Sequence, residues 1–320
     1  MNNRYDFSRL RAFQLCPKKH DYIYNQGLRS AGGMFVKVGS LFHQCLEGHY
    51  NDDDAMIQKA LEEFKGLVLT GVFDLDVDLL EYVYSRYLMF YKDTEKRERL
   101  IANEVKIEEE LESGDTFHLT ADRVVEDEKT GMIVLRDTKT TLKRLKYSLE
   151  DVQYNMQLLT YVPFIEEKYS CKIDAIQIDE VRMCKMLPPP LNLNGKPTAD
   201  KGRLEFTTFE DYRNELAKQG LLDAKEYQNA LQYMEGRGHP MFRRTTAQLL
   251  DSSLVQSNMK DVYNTYEAVR STQTTFRNRG PLCNYCDYKE LCKMDTYDAD
   301  EALRQIEINK ITEGKKEEED

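Results

Sequence analysis

The chain has 320 residues, with 45 Lys and Arg against 56 Asp and Glu, a formal net charge of −11, seven cysteines and no tryptophan. That length suits one large domain or two small ones and buries a core without disulfides. The acidic balance excludes a uniform basic coat but leaves room for a local basic groove that holds nucleic acid.

The polar, charged segment 1–11 does not read as a secretory leader. No apolar run approaches the ~20 residues of a membrane helix, so a reducing, cytoplasmic setting without disulfides or membrane contact is expected. Residues 4–26 read as two short helices broken near Pro17, and Gly32-Gly33 marks a loop. From Phe35 to Tyr50, the apolar positions Val38, Leu41, Phe42, Cys45 and Leu46 fall on one helical face. Further helices are expected near 53–67 and 77–97. The period then changes to two. Val105, Ile107, Glu109 and Leu111 alternate as in a strand, and Thr116–Glu126 and Met132–Thr138 follow as two more. Ser148 caps a helix that runs to about Tyr169 and is expected to bend or split at Pro163. The stretch 172–184 alternates again. A proline-rich loop from Leu187, a mostly helical stretch over 204–236 and a long helix from about 246 to 272 complete the ordered chain, ahead of a charged tail at 313–320 expected to be disordered. Helices, three strands, helix and strand in this order make a mixed α/β core with helices packed on a sheet.

The cysteines are unevenly placed. Cys283, Cys286 and Cys292 form a C-x2-C-x5-C group, whereas Cys45, Cys171 and Cys184 are isolated and read as packing residues. Three thiolates leave a tetrahedral or cubane metal site one ligand short. Cys16, placed before Pro17 at the helix break, is the best fourth candidate. Sulfur ligands alone do not separate zinc from an iron–sulfur cluster.

A second constellation lies in the strands. Asp137 and Lys139, two apart, share one face of a strand. A carboxylate there can hold a divalent cation, the lysine can hold a water or a developing phosphate charge, and Thr138 between them can offer its carbonyl. Asp122 on the neighbouring strand can add a second carboxylate, and hard oxygen ligands of this kind suit Mg2+ or Mn2+. His43, on the helix that begins Gly39-x-x-x-His43, is a candidate further ligand. Gln157 and Tyr161 are i, i+4 neighbours on the next helix, in reach of a phosphate, a base edge or the lysine. The basic residues Lys143, Arg144 and Lys146, and Arg270, Arg277 and Arg279, could form a positive strip beside the metal.

In order along the chain, Cys16-Pro17, Gly39/His43, Asp122, Asp137-Thr138-Lys139, Gln157/Tyr161 and Cys283/Cys286/Cys292 resemble the RecB-like branch of the PD-(D/E)XK nuclease superfamily. They are most similar to its iron–sulfur members: the AddB-type nuclease domains and the CRISPR-adaptation and phage exonucleases. The resemblance implies a restriction-endonuclease-like fold, a mixed-sheet core flanked by helices, in one domain over 1–312. The core would occupy about 100–185, a helical insertion about 187–245 and the cysteine segment 280–295. It implies that His43, Asp122, Asp137 and the Thr138 carbonyl bind Mg2+ or Mn2+, that Lys139 positions water or neutralises the phosphate, and that Gln157 and Tyr161 support the site. It further implies that the four cysteines bind a [4Fe-4S] cluster joining the N- and C-terminal segments, with zinc as the alternative.

The expected function is therefore a metal-dependent DNA nuclease, an exonuclease on DNA ends or single strands. Its setting would be replication, recombination or repair in a prokaryotic or phage-infected cytoplasm, with a replication or recombination protein as partner. Two other readings stand beside it: a non-cleaving DNA-binding or recombination accessory protein on the same fold, and a zinc or iron–sulfur scaffold without nuclease activity. The chain departs from the family at Thr120, where a glycine often stands two residues before the aspartate, and in the length of its 187–245 region. There, Lys201, Arg203 and Phe242-Arg-Arg244 are candidates for phosphate contact.

Overall fold

The computed structural model describes residues 4–28, 34–249, 251–272 and 275–293; the Gly32-Gly33 loop and the 313–320 tail lie outside them. In chain order the elements are β1 (Arg4–Asp6), α1 (Phe7–Leu15), α2 (Pro17–His20), a π-helical turn (Asp21–Asn25), α3 (Met34–Tyr50), α4 (Asp54–Leu69), α5 (Leu79–Glu95), β2 (Glu98–Glu110), β3 (Thr116–Asp127) and β4 (Ile133–Thr141). There follow α6 (Leu149–Gln153), α7 (Met156–Tyr169), β5 (Ala175–Arg182), α8 (Phe209–Lys218), α9 (Lys225–Arg237), β6 (Phe242–Gln248), α10 (Ser253–Ser271) and α11 (Lys289–Lys293). They form two compact units. The first comprises 1–33, 108–119 and 256–320; the second comprises 34–107 and 120–255.

In the first unit, β1 pairs in parallel with the opening residues of β3, Tyr5 against Phe117. The carboxylate of Asp6 accepts the Arg9 amide at 2.7 Å and so caps α1. The helix stops at Leu15 because Cys16 is extended, as the residue before a proline prefers to be, and Pro17 opens α2. The break near Pro17 is thus where the sequence places it, although β1 was not foreseen.

The second unit is organised around β3–β4–β5–β6, with β2 pairing β3. β3/β4 and β5/β6 are antiparallel and β4/β5 parallel, so the sheet is mixed. All eight residues of β5 are buried, which fits a strand covered on both faces. Helices α3, α4 and α5 contribute a common apolar cluster that includes Val38, Leu41, Phe42, Phe64, Leu80 and Val83. Cys45 is wholly buried there and its thiol is pushed up to about 12 by burial, as suits a packing cysteine; Cys184 packs on the same cluster. Gly39 explains how closely α3 approaches the sheet. A Cβ at this position would stand 2.7 Å from Oγ1 of Thr140 on β4. Gly39→Ala therefore sets overpacking of about 1–3 kcal/mol against a helix-propensity gain of about 0.5–1 kcal/mol. We expect a net loss of stability on thermal unfolding, restored in the double variant Gly39→Ala/Thr140→Ala.

Several expectations are corrected. The helix after Ser148 splits at Tyr154-Asn155 rather than at Pro163, which sits inside α7. Asn155 provides a new N-cap by accepting the Leu158 amide at 3.0 Å, so an orphan donor that the break creates is satisfied. The region 187–245 is not wholly an insertion. Helices α8 and α9 carry their own small core of Leu204, Tyr212, Leu216, Tyr227 and Met234, but residues from Phe242 onward form β6 of the sheet. The long helix consequently starts at Ser253, not near 246. Arg244 is no surface phosphate contact either. Its side chain is 9% exposed and bonds Asp179 at 2.8 Å. Arg203 is spent on the Leu191 carbonyl and the Asn192 side chain.

Arg244 belongs to a buried ionic network beneath the sheet. Arg123 donates to the Tyr87 hydroxyl at 2.9 Å and lies 3.5 Å from Asp179; Arg136 holds Glu98 in a two-toothed pair at 2.9 and 2.7 Å. Glu95 faces both Arg123 and Arg244. Three arginines meet three carboxylates, so the group is neutral as a whole, the condition under which buried charges persist. Among the described residues, no helix is long and apolar enough to cross a membrane.

Candidate metal centre

The β3/β4 ladder runs up to Arg123 opposite Arg136. Beyond it the amide of Thr138 donates to Asp122 Oδ2 at 2.6 Å, a side chain replacing the main chain as acceptor where the ladder ends. At the same place α3 supplies His43, whose Nδ1 lies 3.4 Å from Asp122 Oδ2. A third group completes the cluster. His43, Glu104 and Asp122 each offer a ligand atom, all within 4.8 Å of one another. Glu104, on β2, has φ of 46°, a local departure from strand geometry at the residue carrying the carboxylate.

Asp137 stands next to this cluster. It is 5% exposed, and its Oδ2 lies 2.7 Å from Lys139 Nζ without an aligned hydrogen bond. Lys139 also donates to Gln157 Oε1 at 3.0 Å, and Gln157 Nε2 donates to the Tyr161 hydroxyl at 3.2 Å. The i, i+4 pair on α7 thus fixes the lysine head, with Asp137, Lys139, Gln157 and Tyr161 forming one chain of contacts. Thr138 is held from the other side by Arg123, which donates to its Oγ1 at 3.0 Å. This contact links the site to the buried network.

The electrostatics of these groups favour a nearby cation. Burial, then Asp122, pushes Asp137 up to about 6 against the pull of Lys139 and His43. Burial, then Asp122 and Glu47, pushes Glu104 up to about 8. Crowded carboxylates resist ionising together, and a divalent cation among them would remove that resistance. One imidazole, several carboxylates and a buried oxygen without an aligned donor are a donor set that fits such an ion.

A family model of the PD-(D/E)XK nuclease superfamily matches residues 6–293. The chain belongs to this superfamily. Membership implies a metal-dependent nuclease with DNA as substrate, and the acidic cluster agrees with it. Among curated proteins, none matches the sequence.

Within this nuclease-superfamily chain, the residues expected at the site fall into two groups. His43, Asp122, Asp137, Thr138, Lys139, Gln157 and Tyr161 are connected by the contacts above, all in the second unit. Cys16, Cys283, Cys286 and Cys292 lie in the first unit as free thiols, each half-buried. Among the described residues no three of these thiols come within 4.8 Å of one another. Within this unit, other contacts tie the N-terminal segment to residues 275–293. Tyr22 stacks on Tyr288 at 5.6 Å, the Tyr288 hydroxyl donates to the Leu28 carbonyl at 2.7 Å, and the Asn278 amide donates to the Leu15 carbonyl at 3.0 Å. Cys286 and Cys292 pack against the apolar cluster of Tyr22, Leu28, Tyr288 and Leu291. Of the basic residues expected to line the site, Arg144 is paired with Glu205 at 2.7 Å and Arg270 lies 3.5 Å from Asp115.

Glu104 carries no distinguishing signal in the sequence. It precedes the alternating Val105 and Ile107, out of phase with them, in a stretch that also holds Glu108, Glu109 and Glu110. Nothing in spacing separates one of these carboxylates from the others; only pairing of β2 beside β3 does.

Proposed function

We propose that this chain is an Mg2+- or Mn2+-dependent DNase of the RecB-like, iron–sulfur branch, acting as an exonuclease on DNA ends or single strands in replication, recombination or repair. The observation that carries the reading is the juxtaposition of the His43–Glu104–Asp122 cluster with the Asp137–Lys139–Gln157 chain. His43, Asp122, Asp137 and the Thr138 carbonyl would hold the cation, and Glu104 would join them. When bound, the cation lowers the pKa of a water and offsets charge on the phosphate. Lys139, oriented by Gln157 and Tyr161, holds the attacking water or the phosphate oxygen. Water adds its oxygen to phosphorus and releases a proton to solvent, the P–O bond to the departing nucleoside breaks, and the leaving oxygen takes up a proton from solvent. Asp122 is kept in place by the Thr138 amide, so the carboxylate is set before substrate arrives.

The same reading takes the two units as parts of one nuclease domain over 1–312 and gives Cys16, Cys283, Cys286 and Cys292 a structural [4Fe-4S] cluster. Support comes from the C-x2-C-x5-C spacing and from the four free thiols sharing one unit.

End-labelled single- and double-stranded DNA, incubated with full-length protein and either Mg2+ or Mn2+, tests the activity. Progressive shortening supports an exonuclease. DNA left intact with both metals, but still bound, supports a non-cleaving accessory protein. A colourless preparation containing zinc and no iron would remove the cluster assignment.

A further inference from the structure

A carboxylate outside this ligand set is buried beside it. Glu180 on β5 is 2% exposed, and the parallel register of β4 and β5 sets it opposite Lys139. A buried carboxylate is costly unless its oxygens are satisfied. Glu180 spends its oxygens on main-chain donors of the segment between β4 and α6. Oε1 accepts the Lys146 amide at 2.8 Å and Oε2 accepts the Tyr147 amide at 3.1 Å, with Arg243 4.0 Å away. From β6, Thr245 Oγ1 donates to the Tyr147 carbonyl at 3.4 Å. Tyr147 is thereby pinned on both sides of its peptide, in a segment where the neighbouring Lys143, Arg144 and Lys146 are exposed. Its ring is half-buried under the ammonium of Lys146, 5.4 Å from the centroid. Its phenol lies within electrostatic reach of both Lys139 and Asp137.

We propose that Tyr147 is a further substrate-contacting residue of this site, its phenol donating a hydrogen bond to a non-bridging oxygen of the scissile phosphodiester, and that Glu180 is the positioning residue that holds it there. The inference rests on the nuclease reading above. Burial raises the phenol's pKa, Lys139 lowers it and Asp137 raises it, with a net upward shift. The hydroxyl therefore keeps its proton around neutrality and remains a donor. A phosphate that reaches Lys139 meets this donor on the same side of the sheet, because Glu180 ties residues 146 and 147 to the strand position beside Lys139. A donor fixed in advance costs no reorganisation when charge develops on phosphorus, and that is where a single hydrogen bond has its largest effect.

The test uses full-length protein and end-labelled DNA. Tyr147→Phe should lower kcat about 10- to 100-fold, with KM within about threefold and the melting temperature unchanged. Phosphorothioate diastereomers at the cleaved position give the direct readout. Sulfur accepts hydrogen bonds weakly, so wild-type protein should be slowed by replacement of the contacted oxygen. Tyr147→Phe should lose that penalty. Glu180→Gln, which keeps volume and one acceptor oxygen, should show the same kcat defect in milder form. Combined with Tyr147→Phe it should add nothing further. Wild-type kcat and unchanged diastereomer preference in Tyr147→Phe would overturn the contact, and additive defects would overturn the positioning role. Wild-type protein that cleaves no DNA at all overturns the nuclease reading and this inference together.

Discussion

Asp137→Ala is expected to abolish metal-dependent DNA cleavage, by at least about 10³-fold, while leaving the protein folded and no less stable. The two halves of this expectation have one cause. Asp137 is a buried carboxylate pushed up to about 6 by desolvation and by Asp122, so in the absence of a cation its ionised form is a burden on the fold at neutral pH. Its folded pKa lies above the unfolded value. The group therefore opposes folding increasingly as pH rises through the unfolded pKa, and the effect levels off above about 6. Alanine removes that burden. Lys139 loses its partner, but it retains the Gln157 bond at 3.0 Å and its side chain is 33% exposed, so no unpaired buried charge is created. End-labelled DNA measures the first half. Thermal unfolding with and without Mn2+ measures the second: wild-type protein should be stabilised by the ion, and the variant much less. Cleavage retained in the variant would remove Asp137 from the site.

The opposite outcome is expected at Asp179 on β5, one residue before Glu180, which pairs with Lys139 in the β4/β5 register. Asp179→Ala should destabilise the protein by about 3–5 kcal/mol, read by chemical denaturation, and reduce soluble expression. Asp179 is fully buried and accepts from Arg244 at 2.8 Å and from the Tyr87 hydroxyl at 2.5 Å, with Arg123 at 3.5 Å. These arginines hold its carboxyl below the usual range despite burial. Removing it leaves three arginines facing two carboxylates. The excess charge sits under Thr138, which Arg123 touches directly and which pairs with Asp179 in the β4/β5 register. A milder loss in Asp179→Asn would separate the charge from the hydrogen bonds. A loss below about 1 kcal/mol for alanine would mean that water already reaches the network.

The contrast between Asp137 and Asp179 shows why similar carboxylates carry different meanings. Both lie on buried strands of one sheet. Asp137 is crowded by another carboxylate and has a single cation beside it. Asp179 is surrounded by guanidinium groups. The Asp137-x-Lys139 spacing marks the first in the local sequence, but nothing there tells that guanidinium groups surround the second.

What was legible in the sequence was legible because it is local or periodic. The apolar face of α3, the alternation of β3 to β5 and the helix break at Pro17 are dictated by side-chain period and by backbone sterics within a few residues. The spacing Asp137-x-Lys139 places both side chains on one strand face, and Gln157/Tyr161 on one helix face, whatever the rest of the chain does. Gly39 is legible only as a motif letter; its physical reason, the 2.7 Å approach to Thr140, belongs to the packed structure. The tertiary structure alone decided that Glu104 rather than its glutamate neighbours meets His43 and Asp122. It also decided that Phe242–Gln248 completes the sheet, that Arg244 is buried and paired, and that aromatic stacking joins the segments carrying the cysteines. These depend on which strands pair and which residues are thereby desolvated. Charge and period along the chain leave that open; burial and distance settle it.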